Sequence, residues 1–164
     1  MPSSSSERLV VGFAEYVDIP AWRIAGLRAK IDTGARSCAL HVENLRETTD
    51  GLVRFDVRLH RSKRERRVTV TAPIARRGTV RSSTGESKVR IFVQVAVRIG
   101  PVLRRIDMGL VDRGKMIYRM LLGRTALGDD FLVDPAGRYL LTGRVERSSP
   151  SASAPRSASR RGTR

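Results

Sequence analysis

Acids, aromatics and sulfur are scarce in this chain of 164 residues, and each scarcity excludes something. Phe, Trp and Tyr make up only 5%, so the interior has to be built from Val, Leu, Ile and Ala. The one tryptophan, Trp22, is no platform for stacking nucleotide bases and is expected at an edge of the core. A single cysteine, Cys38, rules out an internal disulfide framework and fits a reducing, cytoplasmic compartment; among small and apolar neighbours it reads as a buried small hydrophobe. No stretch approaches the ~20 apolar residues of a membrane span, and the apolar run at 10–13 is too short for an export signal. No membrane partner is expected. The two histidines, His41 and His60, do not form a His-Glu-x-x-His pair, and Cys38 and His41 would point to opposite faces of a strand. No metal ligands are therefore assigned, and zinc is not expected. With no Gly-rich phosphate loop, ATP is not expected to bind this chain, and no other cofactor is implied.

The acids number 16 against 32 Lys and Arg, a net charge of +16. Residues 148–164 hold Ser, Ala, Pro and four Arg, with no acid and no large apolar side chain. Such a segment cannot bury enough surface to offset its ordering entropy. The expected organisation is a disordered segment at 1–8, one folded domain at 9–145 and a disordered basic tail at 146–164. Without 147–164 and its five Arg the body still carries +11, which favours nucleic acid or an acidic peptide as partner.

Short apolar–polar alternations recur every 8–12 residues. They predict strands at 9–17, 24–31, 37–42, 52–60, 68–72, 79–81, 88–97, 103–110 and 117–122, and a pair within 131–141. In the clearest of them Val53, Phe55, Val57 and Leu59 face one way and Arg54, Asp56, Arg58 and His60 the other. Only 125–130 reads as helix. Many short strands at this spacing argue for an all-β, closed barrel with one short helix.

One of these strands carries Leu27, Ala29 and Ile31 straight into Asp32-Thr33-Gly34-Ala35-Arg36-Ser37. A carboxylate at the end of a buried strand is costly unless something uses it, and the following glycine opens access to it. A plain strand-capping turn also uses these residue types. Further on, Met120-Leu121-Leu122-Gly123-Arg124-Thr125 is an apolar strand broken by glycine.

Together the two motifs resemble the retropepsin-like aspartic peptidases. The strings at 30–40 and 120–127, with Phe131-Leu132-Val133-Asp134-Pro135, resemble more narrowly a bacterial branch named for an ATP-dependent zinc protease and associated with RimK-type glutamate ligases. The resemblance covers about 10–143. It implies an acid-protease barrel in which Asp32 is catalytic, Thr33 braces the loop and Gly34 gives room beside the carboxylate. It places Leu121, Leu122 and Gly123 beneath the loop, with Arg124 in an ion pair behind it. The hairpin tip at Ser83, Thr84 and Gly85 stands where the flap lies in chain order and would close over substrate.

Peptide hydrolysis of this kind needs two carboxylates sharing one proton, and this chain has one Asp-Thr-Gly. A symmetric homodimer supplies the second. Lys30, Ala35 and Arg36 flank the carboxylate as candidate substrate-binding residues. The two cations oppose a shared proton between the carboxylates and favour acidic substrates. Three functions follow. The leading one is a dimeric aspartic endopeptidase acting on peptides, including glutamate-rich ones, with a functional link to a glutamate ligase. The second is a binder of acidic peptides without turnover. The third is a basic RNA- or ribosome-associated protein that binds through its tail.

Overall fold

A computed structural model describes residues 7–60, 62–63, 65–82, 84–112 and 114–143. The expected tail (146–164), all but the last two residues of the expected N-terminal segment (1–8), and Ser83 lie outside the described residues.

Eleven strands and one short helix are present among them: β1 (Leu9–Val11), β2 (Ala14–Ile19), β3 (Ile24–Ile31), β4 (Cys38–Glu47), β5 (Leu52–Arg58), β6 (Arg67–Pro73), β7 (Arg76–Arg81), β8 (Ser87–Ile99), β9 (Val102–Val111), β10 (Met120–Leu122), α1 (Arg124–Leu127) and β11 (Phe131–Val133). Burial follows the alternation in sequence. In β5, Val53, Phe55 and Val57 are fully buried while Arg54 is exposed; in β3, Leu27, Ala29 and Ile31 face inward and Arg28 and Lys30 outward. Trp22, in the 3-10 turn after β2, lays its ring edge-on to Phe55 at 5.5 Å and closes one side of the core.

The strands run β10-β3-β2-β8-β9-β4, and β10 also pairs with β4, which closes a six-stranded barrel. The closing strand is three residues long. Met120 lies against Ala29 of β3 on one side and Leu40 of β4 on the other, parallel to the first and antiparallel to the second. β5 and β6 extend the sheet outward from β4, β7 pairs with β8, and β1 with β11 forms a separate parallel pair.

Several expectations change. The strand expected at 9–17 breaks at Gly12, where a Cβ would sit 2.4 Å from the Gly137 carbonyl oxygen; the chain steps aside for the segment 134–143. Only Phe131–Val133 of 131–141 is a strand, because the following residues turn and dock on β2 instead. There the fully buried Glu15 carboxylate accepts N–H bonds from Gly12 (2.8 Å), Leu141 (3.1 Å) and Thr142 (3.0 Å), and Tyr16 stacks on Tyr139. A buried carboxylate is tolerable only with its lone pairs filled in this way. The helix is the four residues Arg124–Leu127, stopped by Gly128 at a φ of +50°.

Candidate active site

β3 and β10 are parallel neighbours, so their C-terminal ends leave the barrel at the same rim. From one emerges the loop 32–37, from the other Gly123 and α1. They lock together through the backbone. The Asp32 N–H donates to the Leu122 carbonyl (2.9 Å), the Arg124 N–H to Ala35 (2.9 Å) and the Thr125 N–H to Arg36 (3.1 Å). Gly123 makes this possible, since a Cβ there would lie 2.4 Å from the Ser37 oxygen and 2.8 Å from the Ala35 oxygen.

The Asp32 carboxylate is half-buried at the rim. Its Oδ1 accepts the Gly34 N–H at 3.1 Å, and the Asp32 carbonyl accepts the Ala35 N–H at 3.3 Å. Thr33 and Gly34 are exposed beside it, as is Arg36. A side chain at Gly34 would press on Oδ1, at 3.3 Å. Arg124 corrects an expectation: its guanidinium Nη1 donates to the Thr33 carbonyl at 3.0 Å, holding the loop from behind by a backbone contact where an ion pair was expected. Lys30 is exposed on the outer wall, in register with Leu121 of β10 and Ala14 of β2.

Next to the loop lies a cleft of about 610 Å³. The loop contributes Arg36 and Ser37, α1 contributes Thr125, the β7 stem of the hairpin contributes Thr79 and Val80, and β9 contributes Arg105. The Arg76 guanidinium stacks 3.7 Å above the Phe92 ring and pairs with Asp107 at 2.9 Å; all three residues line the same cleft. Arg105 donates to the Gln94 side-chain oxygen at 2.8 Å. The hairpin stem therefore shares a wall with the catalytic-loop candidate Arg36. Its tip is held within itself: the Ser82 N–H donates to Glu86 (2.8 Å), the Gly85 N–H to Ser82 (3.0 Å), and the Ser82 and Thr84 hydroxyls meet at 2.8 Å. Gly85 has a φ of +86°, which favours glycine.

Sequence reasoning missed Arg76, Phe92 and Arg105. Alternation indicates which side of a strand each occupies, but not that β7, β8 and β9 bring them beside the 32–37 loop.

Among the described residues the donor sets do not fit a zinc site. Among the described residues no three His, Cys, Asp or Glu side chains converge. Cys38 Sγ lies 3.8 Å from the Thr125 hydroxyl, and burial pushes its thiol up, outweighing hydrogen bonds from Gly123, Thr125 and Ala126. His41 Nε2 lies 3.6 Å from Glu43 Oε1.

A protein-family model for RimB-like proteins, described as retropepsin-like aspartic endopeptidase RimB, matches residues 10–143. The chain belongs to this family. The kinship implied by Asp32-Thr33-Gly34 and Leu121-Leu122-Gly123 is therefore the right one, down to the RimK-associated branch. The chain is 29% identical over 140 residues to a Shewanella pealeana protein named probable alpha-L-glutamate ligase, covering 84% of this chain and 31% of that protein. A Desulfotalea psychrophila protein of the same name is 28% identical over 137 residues, covering 82% and 30%. The chain thus spans about a third of the length of these curated relatives. A crystal structure of a Legionella pneumophila protein of unknown function superimposes with a TM-score of 0.67 at 27% identity, covering 82% of this chain and 99% of that one. Among the described residues no helix is long and apolar enough to cross a membrane.

Proposed function

We propose that this chain is an aspartic endopeptidase that works as a symmetric homodimer on acidic, glutamate-rich peptides. One observation carries the reading. A single Asp-Thr-Gly carboxylate stands half-exposed at the barrel rim, on a loop that α1 and β10 fix through four hydrogen bonds: three backbone–backbone and one from Arg124. Two such loops meeting across a two-fold axis place one Asp32 from each subunit side by side, where like charges cannot both ionise and a single proton is shared. The ionised carboxylate takes a proton from water as the water oxygen bonds to the scissile carbonyl carbon. The protonated one hydrogen-bonds the carbonyl oxygen. The C–N bond then breaks as the dyad returns a proton to the leaving nitrogen. Thr33 braces the paired loops, and the hairpin at 82–86 covers the substrate.

The preference for acidic peptides rests on Arg36, Arg76 and Arg105 around the cleft, with Asp107 the one carboxylate among its described lining residues, and on the net charge of +16. Guanidinium groups suit carboxylates by charge and by bidentate geometry. The glutamate-ligase names of relatives in which this region makes up about a third of the protein support a functional link to a ligase that builds such peptides.

The test pairs a fluorogenic oligoglutamate peptide with a neutral one of equal length, using the parent chain and Asp32→Asn. Cleavage by the parent, lost in Asp32→Asn and faster on oligoglutamate, is the expected result. Cleavage retained in Asp32→Asn overturns the assignment of the catalytic base.

A second reading is favoured by the placement of the cleft: Asp32 is not among the described residues lining it. A binder of acidic peptides without turnover would use Arg36, Arg76 and Arg105 and leave Asp32 as a loop-capping group. Such a protein would bind oligoglutamate equally well with Asn at position 32 and cleave nothing at any pH.

A further inference from the structure

The outer face of β4, β5 and β6 carries a charge arrangement that the proposed reaction does not use. Arg46 of β4 stands directly opposite Arg54 of β5, and Arg58 of β5 directly opposite Arg67 of β6. Like charges facing each other across a strand pair destabilise a sheet. Between these rows lie Glu43 and Asp56, also opposite one another, and both are occupied. Glu43 pairs with Arg58 at 3.2 Å, with the His41 ring nitrogen 3.6 Å away; Asp56 accepts from the Thr69 hydroxyl (2.6 Å) and the Asn44 amide (2.9 Å), with Arg67 at 3.8 Å. Asn44, Arg46, Arg54, Asp56, Arg67 and Thr69 line a concavity of about 540 Å³ in this face. The Thr71 hydroxyl position continues it on β6, and Lys63 and Arg66 follow on the exposed turn beyond β5.

We propose that this face is a docking surface for the phosphate backbone of double-helical RNA. Arg46 and Arg54 face each other at one end of the concavity and Arg67 stands about 13 Å away at the other, a span that covers several phosphates of one strand, while Arg58 is largely buried and held by Glu43. Threonine and asparagine side chains between them can meet phosphate and 2′-hydroxyl oxygens. The one aromatic residue in these three strands, Phe55, is fully buried, so the face stacks no bases and reads no sequence. A three-stranded sheet face does not enter the major groove of B-form DNA as a helix or two-stranded ribbon does, whereas the minor groove of A-form RNA is wide and shallow and shows its 2′-hydroxyls. An extended acidic peptide would leave most of the two-row lattice unused. Positions 44–46 lie about 20 Å along β4 from the 32–37 loop, so an RNA seated here leaves the cleft open.

The experiment measures binding of a fluorescent 20-base-pair RNA duplex to the full chain across a salt series, beside a DNA duplex of equal length and oligoglutamate. The variant is Arg46→Gln/Arg54→Gln/Arg67→Gln, with the tail retained in both proteins and folding checked by circular dichroism. The expected result is tighter binding of RNA than of DNA, a drop of about 100-fold for the variant near 0.1 M salt, and a salt slope shallower by about 3. If the triple variant does not fold, the single change Arg54→Glu carries the test, with a loss of at least tenfold expected. Arg46→Lys/Arg54→Lys/Arg67→Lys should keep most of the affinity and slope, since charge is retained. Unchanged affinity and slope in the glutamine variant overturn the proposal and leave any RNA binding to the tail. Equal binding of RNA and DNA overturns the shape argument. A larger loss for oligoglutamate than for RNA assigns the face to an acidic peptide and overturns the proposal as well.

Discussion

Gly123→Ala tests whether the floor of the loop is as tight as it looks. The backbone at Gly123 has φ −83° and ψ −177°, which any residue adopts, so alanine carries no backbone strain there. By itself the change would stabilise the chain by about 0.4–1 kcal/mol through the unfolded state. The opposing effect is steric. The new methyl would start 2.4 Å from the Ser37 oxygen and 2.8 Å from the Ala35 oxygen and the Arg36 carbonyl carbon, all three backbone atoms. An ordinary carbon–oxygen contact is near ~3.3 Å, so the loop must retreat by roughly 0.9 Å. Overpacking of this kind costs about 1–3 kcal/mol. The retreat also stretches the two bonds from Arg124 and Thr125 to the loop, at about 1 kcal/mol each. The net expectation is a loss of about 2–5 kcal/mol, or roughly 6–18 °C in melting temperature for a domain of this size. Urea unfolding followed through Trp22, which packs on Phe55, measures it. Gly114→Ala, with nothing within 4 Å of the new methyl, is the control and should stay within about 0.5 kcal/mol. Because the retreat carries Asp32 with it, peptidase turnover should fall about 100-fold in the fraction that remains folded. A Gly123→Ala protein as stable as the control would refute the claim that this glycine sets the loop position.

Asp32→Asn should abolish peptide cleavage yet unfold within about 0.5 kcal/mol of the parent, because the amide oxygen can still accept the Gly34 N–H; a large loss of stability would make Asp32 a structural residue. Sedimentation across a concentration series should reach twice the 18.2 kDa chain mass, and a strict monomer at high micromolar concentration with peptide present removes the shared-proton mechanism. Replacing Lys30 and Arg36 together with Met should weaken oligoglutamate binding by at least tenfold and flatten its salt dependence; equal binding would leave both cations a structural role. Burial first, and then the Arg119 charge, hold His41 below its ordinary value of 6.5, against the pull of Glu43 and Asp112. Below pH 6.5 the unfolded chain therefore takes up a proton that the folded one refuses, so stability should fall with falling pH from 6.5 down to the folded value. Urea midpoints at pH 7.5 and 5.5 measure this, and the difference should shrink in His41→Gln.

What could be read in the sequence was local. Asp32-Thr33-Gly34 and Leu121-Leu122-Gly123 are contiguous strings whose chemistry and geometry belong together, and alternation in β3, β5 and β8 sorted inner from outer side chains. Partnership across the fold was not readable. Glu15 looks like an ordinary polar position on a strand, and its buried role depends on Leu141 and Thr142, 126 and 127 residues away. Arg76, Phe92 and Arg105 come together only because β7, β8 and β9 are neighbours. The strand expected at 117–122 shortened to Met120–Leu122 because apolar pattern alone does not fix where pairing with β3 and β4 can start: at 119 the carbonyl already turns to the His41 N–H.

The shortness of β10 ties stability to function at one place and frees them elsewhere. Three residues close the barrel, and the last of them, Leu122, forms with Gly123 the shelf under the candidate dyad loop. A change at Met120, Leu122 or Gly123 therefore acts on barrel closure and on the Asp32 position together, and should lower stability and turnover in step. The hairpin tip is built differently. Among its described residues the hydrogen bonds run within 82–86, and a Cβ at Gly85 would meet nothing within 4 Å, although its φ of +86° resists a side chain. Gly85→Ala should then cost about 1 kcal/mol of local strain in the tip while leaving the core unfolding transition nearly unchanged. If the tip covers substrate, KM and kcat change in that variant with the urea midpoint held. A Gly85→Ala protein with parental kinetics on oligoglutamate would show that the hairpin does not close over the cleft, and that Arg36, Arg76 and Arg105 hold the peptide without a lid.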